Sequence, residues 1–135
     1  MSNEINAAIY STLSGGTALT ALLAGTTSIY HGAAPRGTSF DYIIFNQQGG
    51  GDENSTPTRA KNLLYQVQAV SATSARQAGL IDAQVDELLH GQTLTVSGWS
   101  NYWTMREQDI EYTETTGDGQ NIWHVGGLYR IRLCE

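Results

Sequence analysis

The chain has 135 residues, enough for a single domain (1–135) that buries roughly two-thirds of its unfolded surface without disulfide or metal. Thirteen acidic against seven basic residues give a net charge of −6, and Lys61 is the only lysine. That balance argues against ordinary nucleic-acid binding, which depends on clustered cations that neutralise phosphates. Charged residues make up only 15% of the chain, against about 25% in a typical soluble domain, and this low charge suits a protein that buries itself against copies or partners.

The N-terminal stretch MSNEINAAIY has neither the basic region nor the long apolar run of an export signal or membrane span. Ile5, Ile9 and Leu13 recur four apart and predict a helix over about 3–14, capped by Ser2 or Asn3 and ended by Gly15 and Gly16. Leu19, Leu22 and Leu23 predict a short second helix over about 17–24, with Gly25 as its stop. In IYHGAAPRGTS, Pro35 disfavours helix at Ala34, while Gly32 and Gly37 allow turns that other residues resist. This segment reads as the connector into a first strand, Phe40–Asn46.

QQGGGDENSTPTRAK follows, a polar and glycine-rich run that predicts a flexible loop over about 47–61. Leu63, Tyr65, Val67 and Ala69 then alternate with polar residues, the pattern of a strand with one buried face. Ala78, Ile81, Val85 and Leu88 give the clearest helix, about 74–90, with Thr73 or Ser74 as cap and Gly91 at its end. TLTVSGW and Tyr102–Thr113 read as strands. The last strand places Trp123, Val125, Tyr129, Ile131 and Leu133 on one face. The order predicts an α+β fold: a mainly antiparallel sheet of four to five strands with helices packed on one face. The single Cys134 cannot staple a monomer, which suits a reducing cytoplasm.

Candidate chemistry is sparse. His31, His90 and His124 lie in no metal-ligand spacing, and no phosphate-binding loop, dinucleotide fingerprint or nucleophile elbow occurs. His90 closes a helix, where a partly positive imidazole complements the dipole. Glu107, Asp109 and Glu111 occupy alternate positions, so on a regular strand all three carboxylates share one face. Such a row is a solvated face, a divalent-metal site of a small metal-dependent enzyme, or an acidic patch that repels nucleic acid. The 47–61 loop is plain surface or a segment that orders on a partner, as in an adaptor that binds one protein without forming a ring.

The residues ALTALLAG followed by SIYHGAAPRGTSFDYIIF resemble the tail-completion or tail-terminator proteins of long-tailed bacteriophages. Leu22, Leu23, Gly25, Ile29, Tyr30, Ala34, Pro35, Gly37, Thr38, Tyr42 and Ile43 carry the resemblance, and WHVGGLYRIRL matches more loosely. Where the family often has a proline before the strand's tyrosine, this chain has Asp41. The resemblance implies a virion structural protein, assembled in the bacterial host, with no catalytic residues, metal or cofactor. Such proteins form a ring, typically hexameric, at the head-proximal end of the tail tube, where they terminate the tail and join it to the head connector. On this reading His31, Arg36, Asp52, Glu53 and Arg59 are expected at interfaces with sister subunits, the tube protein or the head-completion protein. Glu107, Asp109 and Glu111 are expected to line a channel through which DNA passes without specific binding, since like charges repel.

Overall fold

The computed structural model describes residues 2–54 and 57–135. In chain order it comprises α1 (Ser2–Ser14), α2 (Thr17–Thr20), β1 (Ile29–His31), β2 (Tyr42–Glu53), β3 (Ala60–Ser71), α3 (Ala75–Leu89), β4 (Thr95–Val96), β5 (Trp99–Thr115) and β6 (Asn121–Cys134). The strands form one sheet in the order β1-β2-β3-β6-β5-β4. The α+β class is as expected, but the sheet has six strands and is mixed. β1 pairs parallel to β2, Ile29 to Ile43 through His31 to Phe45, and every other pairing is antiparallel. A three-residue strand is too short to show alternation, so β1 is hidden in what reads as connector.

The helices pack on one face. α1 contributes Ile5, Ile9 and Leu13, all fully buried, and α3 contributes Ala78, Ile81, Val85 and Leu89. Opposite them lie Leu63, Tyr65, Val67 and Ala69 of β3 and Tyr129, Ile131 and Leu133 of β6, as the alternation predicts. Ser74 is the cap of α3, its hydroxyl accepting from the Gln77 N–H at 3.0 Å. The second helix is shorter than predicted. After Thr20 the chain continues in tight i→i+3 turns, Leu22 N–H to Leu19 O and Leu23 N–H to Thr20 O. Such short segments gain too few hydrogen bonds to sustain a helix, and burial of Leu19 and Leu23 holds this one in place. Gly32 and Gly37 take left-handed backbone angles (φ 82° and 81°), and Thr38 N–H closes a turn on Pro35 O at 3.1 Å. Asp41 is buried, and its carboxylate accepts from Ala72 N–H at 3.3 Å, tying the connector to the end of β3. No helix among the described residues is long and apolar enough to cross a membrane.

The predicted flexible loop is mostly strand. β2 runs to Glu53 and β3 begins at Ala60, with Gly50 opposite Leu63, Gly51 opposite Asn62 and Asp52 opposite Lys61. Ser55 and Thr56 lie outside the described residues. The ladder joins backbone groups, which glycines supply as well as any residue, so low side-chain content concealed the strand.

Arg106 on β5 fastens α3 to the sheet. Its guanidinium forms a two-pronged pair with Asp82, Nη1 to Oδ1 and Nη2 to Oδ2, both 2.9 Å. Nη1 also donates to the Tyr129 hydroxyl (3.1 Å), Nη2 to Gly126 O (2.8 Å) and Nε to Asp109 (2.8 Å). All five donors of the fork are therefore used. The Tyr129 hydroxyl in turn donates to Asp86 at 3.0 Å. Burial disfavours the charge, but the hydrogen bonds to Asp82, Tyr129 and Asp109 outweigh it and hold Arg106 above its ordinary pKa. Gly127 makes room: a β-carbon there would stand 2.6 Å from the guanidinium.

Replacing Arg106 by methionine leaves Asp82 without its partner and should cost about 3 kcal/mol, a fall of roughly 10 °C in melting temperature, readable by calorimetry. Lysine is expected to restore little, since a point charge cannot span these five acceptor contacts. Gly127→Ala should cost about 1–3 kcal/mol by pushing on the same guanidinium. A second expectation concerns Tyr65, whose hydroxyl donates to Asn6 of α1 at 2.7 Å. Burial raises its pKa from 10.0 to about 12. The folded state then holds this proton while the unfolded chain releases it, so stability should be intact below pH 10.0 and fall between there and about 12. Denaturant titrations across that window should show the loss, and Tyr65→Phe should reduce it, leaving the share of Tyr42 and Tyr129, whose pKa values burial also raises.

Candidate assembly interface

Two hairpins flank the central β3–β6 ladder, and each has an outer arm within the sheet. One is formed by the distal halves of β2 and β3, the other by β5 and β6 beyond Arg106. Each carries a bulge: the β2–β3 register shifts between Gln47 and Gly49, and the β5–β6 register between Arg106 and Gln108. A bulge inserts one unpaired residue and bends the strand. A second shift in β5, between Asn101 and Trp103, lies nearer its start, where Asn101 accepts from Leu94 N–H and donates to Arg132 O.

The bulge at Glu107 corrects the reading of the acidic row. Asp109 faces the helix side, opposite Gly127, and is held by Arg106 at 2.8 Å; Glu111, opposite Val125, shares that face. Glu107 is the extra residue, and it turns to the other face, where Arg130 donates to it at 3.1 Å. One inserted residue thus divides the three carboxylates, because side-chain direction alternates with period two. Among the described residues no group of three or more His, Cys, Asp or Glu is placed to hold a metal ion.

The remaining candidate residues fall into two places. His31 ends β1, with its ring 5.4 Å from that of Phe45, and Arg36 lies exposed in the Pro35–Thr38 turn. Asp52, Glu53 and Arg59 sit near the tip of the β2–β3 arm. Asp52 pairs with Lys61 and, at 3.5 Å, with Arg59, while Glu53 accepts from Asn62 at 2.9 Å. The hydrogen bond and charge of Lys61, aided by Arg59, lower the Asp52 pKa. The two groups are separated along β2 by the length of the arm, so they do not form one site.

The surface that sequence reasoning missed is the sheet face opposite the helices. Ile44, Leu64, Ile110 and Leu128 lie half-buried on it, and Trp103 and Tyr112 are 44% and 46% exposed. Tyr112 stacks on His124 (4.3 Å between centroids, 9° between planes), which buries the imidazole against Glu114 at 3.2 Å. Tyr42 packs edge-on to Tyr30 at 5.8 Å and stacks on Phe40 at 5.2 Å; burial, with the Glu114 charge next, raises its pKa. Arg132 lies over the Trp103 ring at 5.8 Å. The signal was present as apolar residues at even positions of β3 and β6, but they alternate with a stronger core set and read as scattered exceptions. His90 also departs from expectation. Its Nδ1 accepts the Arg106 backbone N–H at 3.0 Å, so that nitrogen carries no proton and the ring serves as an acceptor that closes α3 onto β5.

No curated protein sequence matches the chain. A chain in the virion of a native gene transfer agent particle has the same fold, with a TM-score of 0.80 at 16% identity, covering 98% of this chain and 96% of that one. A second solved chain matches at TM-score 0.58 and 18% identity, over 97% of this chain and 95% of that one. The family model for the tail completion protein gp17 matches residues 7–131, from within α1 almost to the end of β6. The connector, the helices and both arms therefore all lie within one family's pattern, and the chain belongs to the tail completion protein gp17 family.

Proposed function

We propose that this protein, a structural component of a phage-type tail and virion, assembles as a ring on the head-proximal end of the tail tube, typically of six copies, terminates the tail and joins it to the head connector. The family match over residues 7–131 carries the reading. The open sheet face supports it: half-buried aliphatic residues and exposed Trp103 and Tyr112 suit a surface that is covered on assembly. The two separate groups of candidate contacts suit a subunit that meets different neighbours. His31 and Arg36 lie at one end of β2, and Asp52, Glu53 and Arg59 lie at the other.

The net charge of −6 supports passage of DNA through such a ring without sticking. Of the three acidic residues assigned to a channel, Asp109 and Glu111 share a face and form the proposed lining. Asp109 is engaged by Arg106, which leaves Glu111 as the free carboxylate of that pair. Catalysis has no part in this role.

Negative-stain imaging with mass determination tests the assembly. Rings, alone or capping tubes of the tail-tube subunit, are expected; a monodisperse monomer that neither forms rings nor caps tubes would overturn the reading. For the channel, Glu111→Lys is expected to slow DNA ejection from particles whose tails assemble normally. Unchanged infectivity would move that side chain out of the channel.

A further inference from the structure

Among the described residues, both outer strands of the sheet are only partly covered. β1 pairs with Ile43–Phe45 and stops, leaving the edge of β2 from Asn46 to Glu53 without a partner strand. On the opposite side β4 pairs with Trp99 and Ser100, and the α3–β4 linker follows β5 as far as Arg106 through Gly91 N–H to Thr104 O (2.7 Å) and the His90 contact. From Glu107 to Thr115 that edge has no partner strand either. The two open segments are of near-equal length, and each begins beside a bulge. Bare edges with free N–H and C=O groups are templates for strand addition.

We propose that these two edges are the subunit joint: β5 of one copy, Glu107–Thr115, pairs antiparallel with β2 of the next, Asn46–Glu53, so that the sheet runs on from copy to copy. This rests on the ring reading and names the surfaces that would build it. Three observations converge on a second copy as the occupant. The first is direction. β2, β3, β6 and β5 alternate strictly, so β5 runs opposite to β2, and head-to-tail repetition of the unit continues the antiparallel order. Such a joint is heterologous, the kind that closes into rings.

The second is position. The middle of the β2 edge, Gly49, lies level across the sheet with Met105, and the middle of the β5 edge, Glu111, lies level with Ile43. Bringing the two together shifts successive copies along the strands by the distance from Leu64 to Ala69, roughly 17 Å at about 3.3 Å per residue. Four strand spacings of about 4.8 Å give a width of roughly 19 Å. The resulting tilt is about 40°, within the range of strand tilts found in closed barrels. The space is also available. An added β5 segment would lie end to end with β1 along β2, and an added β2 segment end to end with β4 along β5.

The third is charge. The acidic side chains of β5 discourage indiscriminate edge pairing, including pairing of two β5 edges. Asn46–Gly51 presents amides and glycines and no charge, and Asp52 beyond it is already paired with Lys61 and Arg59. The glycines, with little side chain, leave room for Ile110 and Tyr112 of the incoming strand.

Disulfide trapping tests the joint. In a Cys134→Ser background, Gly49→Cys is combined with either Ile110→Cys or Tyr112→Cys, all on the open face; a β-carbon at Gly49 meets no atom within 4 Å. Oxidation of rings, formed alone or on tail-tube subunits, should give a ladder of covalent multimers on non-reducing gels from at least one double variant. Mixing the two matching single variants should stop at dimers. Rings seen by imaging that give no ladder from either pair would overturn the edge joint and leave the ring reading standing. Absence of rings under all conditions would overturn both. Covalent dimers formed by a single variant alone would replace the head-to-tail joint with a two-fold one.

Discussion

The bond network of Arg106 is the constraint on which the rest of this structure depends. One guanidinium joins α3 through Asp82, β6 through Tyr129 and Gly126, and its own strand through Asp109. A buried cation is tolerated only where its donors are met, and here every one is. The arrangement also explains two neighbours. Gly127 is small because the fork passes over it, and His90 turns its ring toward the Arg106 backbone because α3 ends there. Arg106 stands where the β5 arm leaves the covered part of the sheet, so the same residue that closes the fold defines where the arm begins.

The bulges distribute the surface chemistry. A regular β5 would have placed three carboxylates side by side. With one residue inserted, Glu107 joins Arg130 on the open face while Asp109 and Glu111 stay on the helix side. In β2 the corresponding bulge sits where β1 has ended and the glycine run begins. Both arms thus combine a bend with an uncovered edge, and the sheet between them carries apolar side chains on both faces, mixed on the open one with Gln66, Gln68 and Arg130. One face is filled by the helices. The other holds Ile44, Leu64 and Leu128 among aromatic rings, an arrangement more fitting to a part of a larger assembly than to an isolated molecule.

Low charge takes on a specific meaning in this setting. Most of the charges engaged in the sheet are paired with one another: Asp52 with Lys61 and Arg59, Glu107 with Arg130, Asp82 and Asp109 with Arg106. What remains at the β2 edge is backbone, amide and glycine, while the β5 edge keeps Glu111 and Glu114. The β2 groups suit strand addition, in which main-chain bonds supply affinity and shape supplies selectivity.

Much was legible in the sequence where one residue type repeats at one period. The stripe Ile5, Ile9, Leu13 and the stripe Ala78, Ile81, Val85 gave both long helices, since burial of a single face demands that spacing. Alternation in β3 and β6 gave the central strands, and the connector residues around Pro35 carried the family resemblance that the match over 7–131 supports. Tertiary structure decided the rest. The glycine-rich arm became strand because a partner ladder, not its own side chains, satisfied the backbone. The acidic row was divided by a register shift that no local pattern announces. Of the four residues that bond the Arg106 guanidinium, Asp82, Gly126 and Tyr129 come from segments far from it in the chain. Periodicity is a local property and survives in the sequence; register, bulges and convergence of distant groups exist only once the strands have been laid side by side.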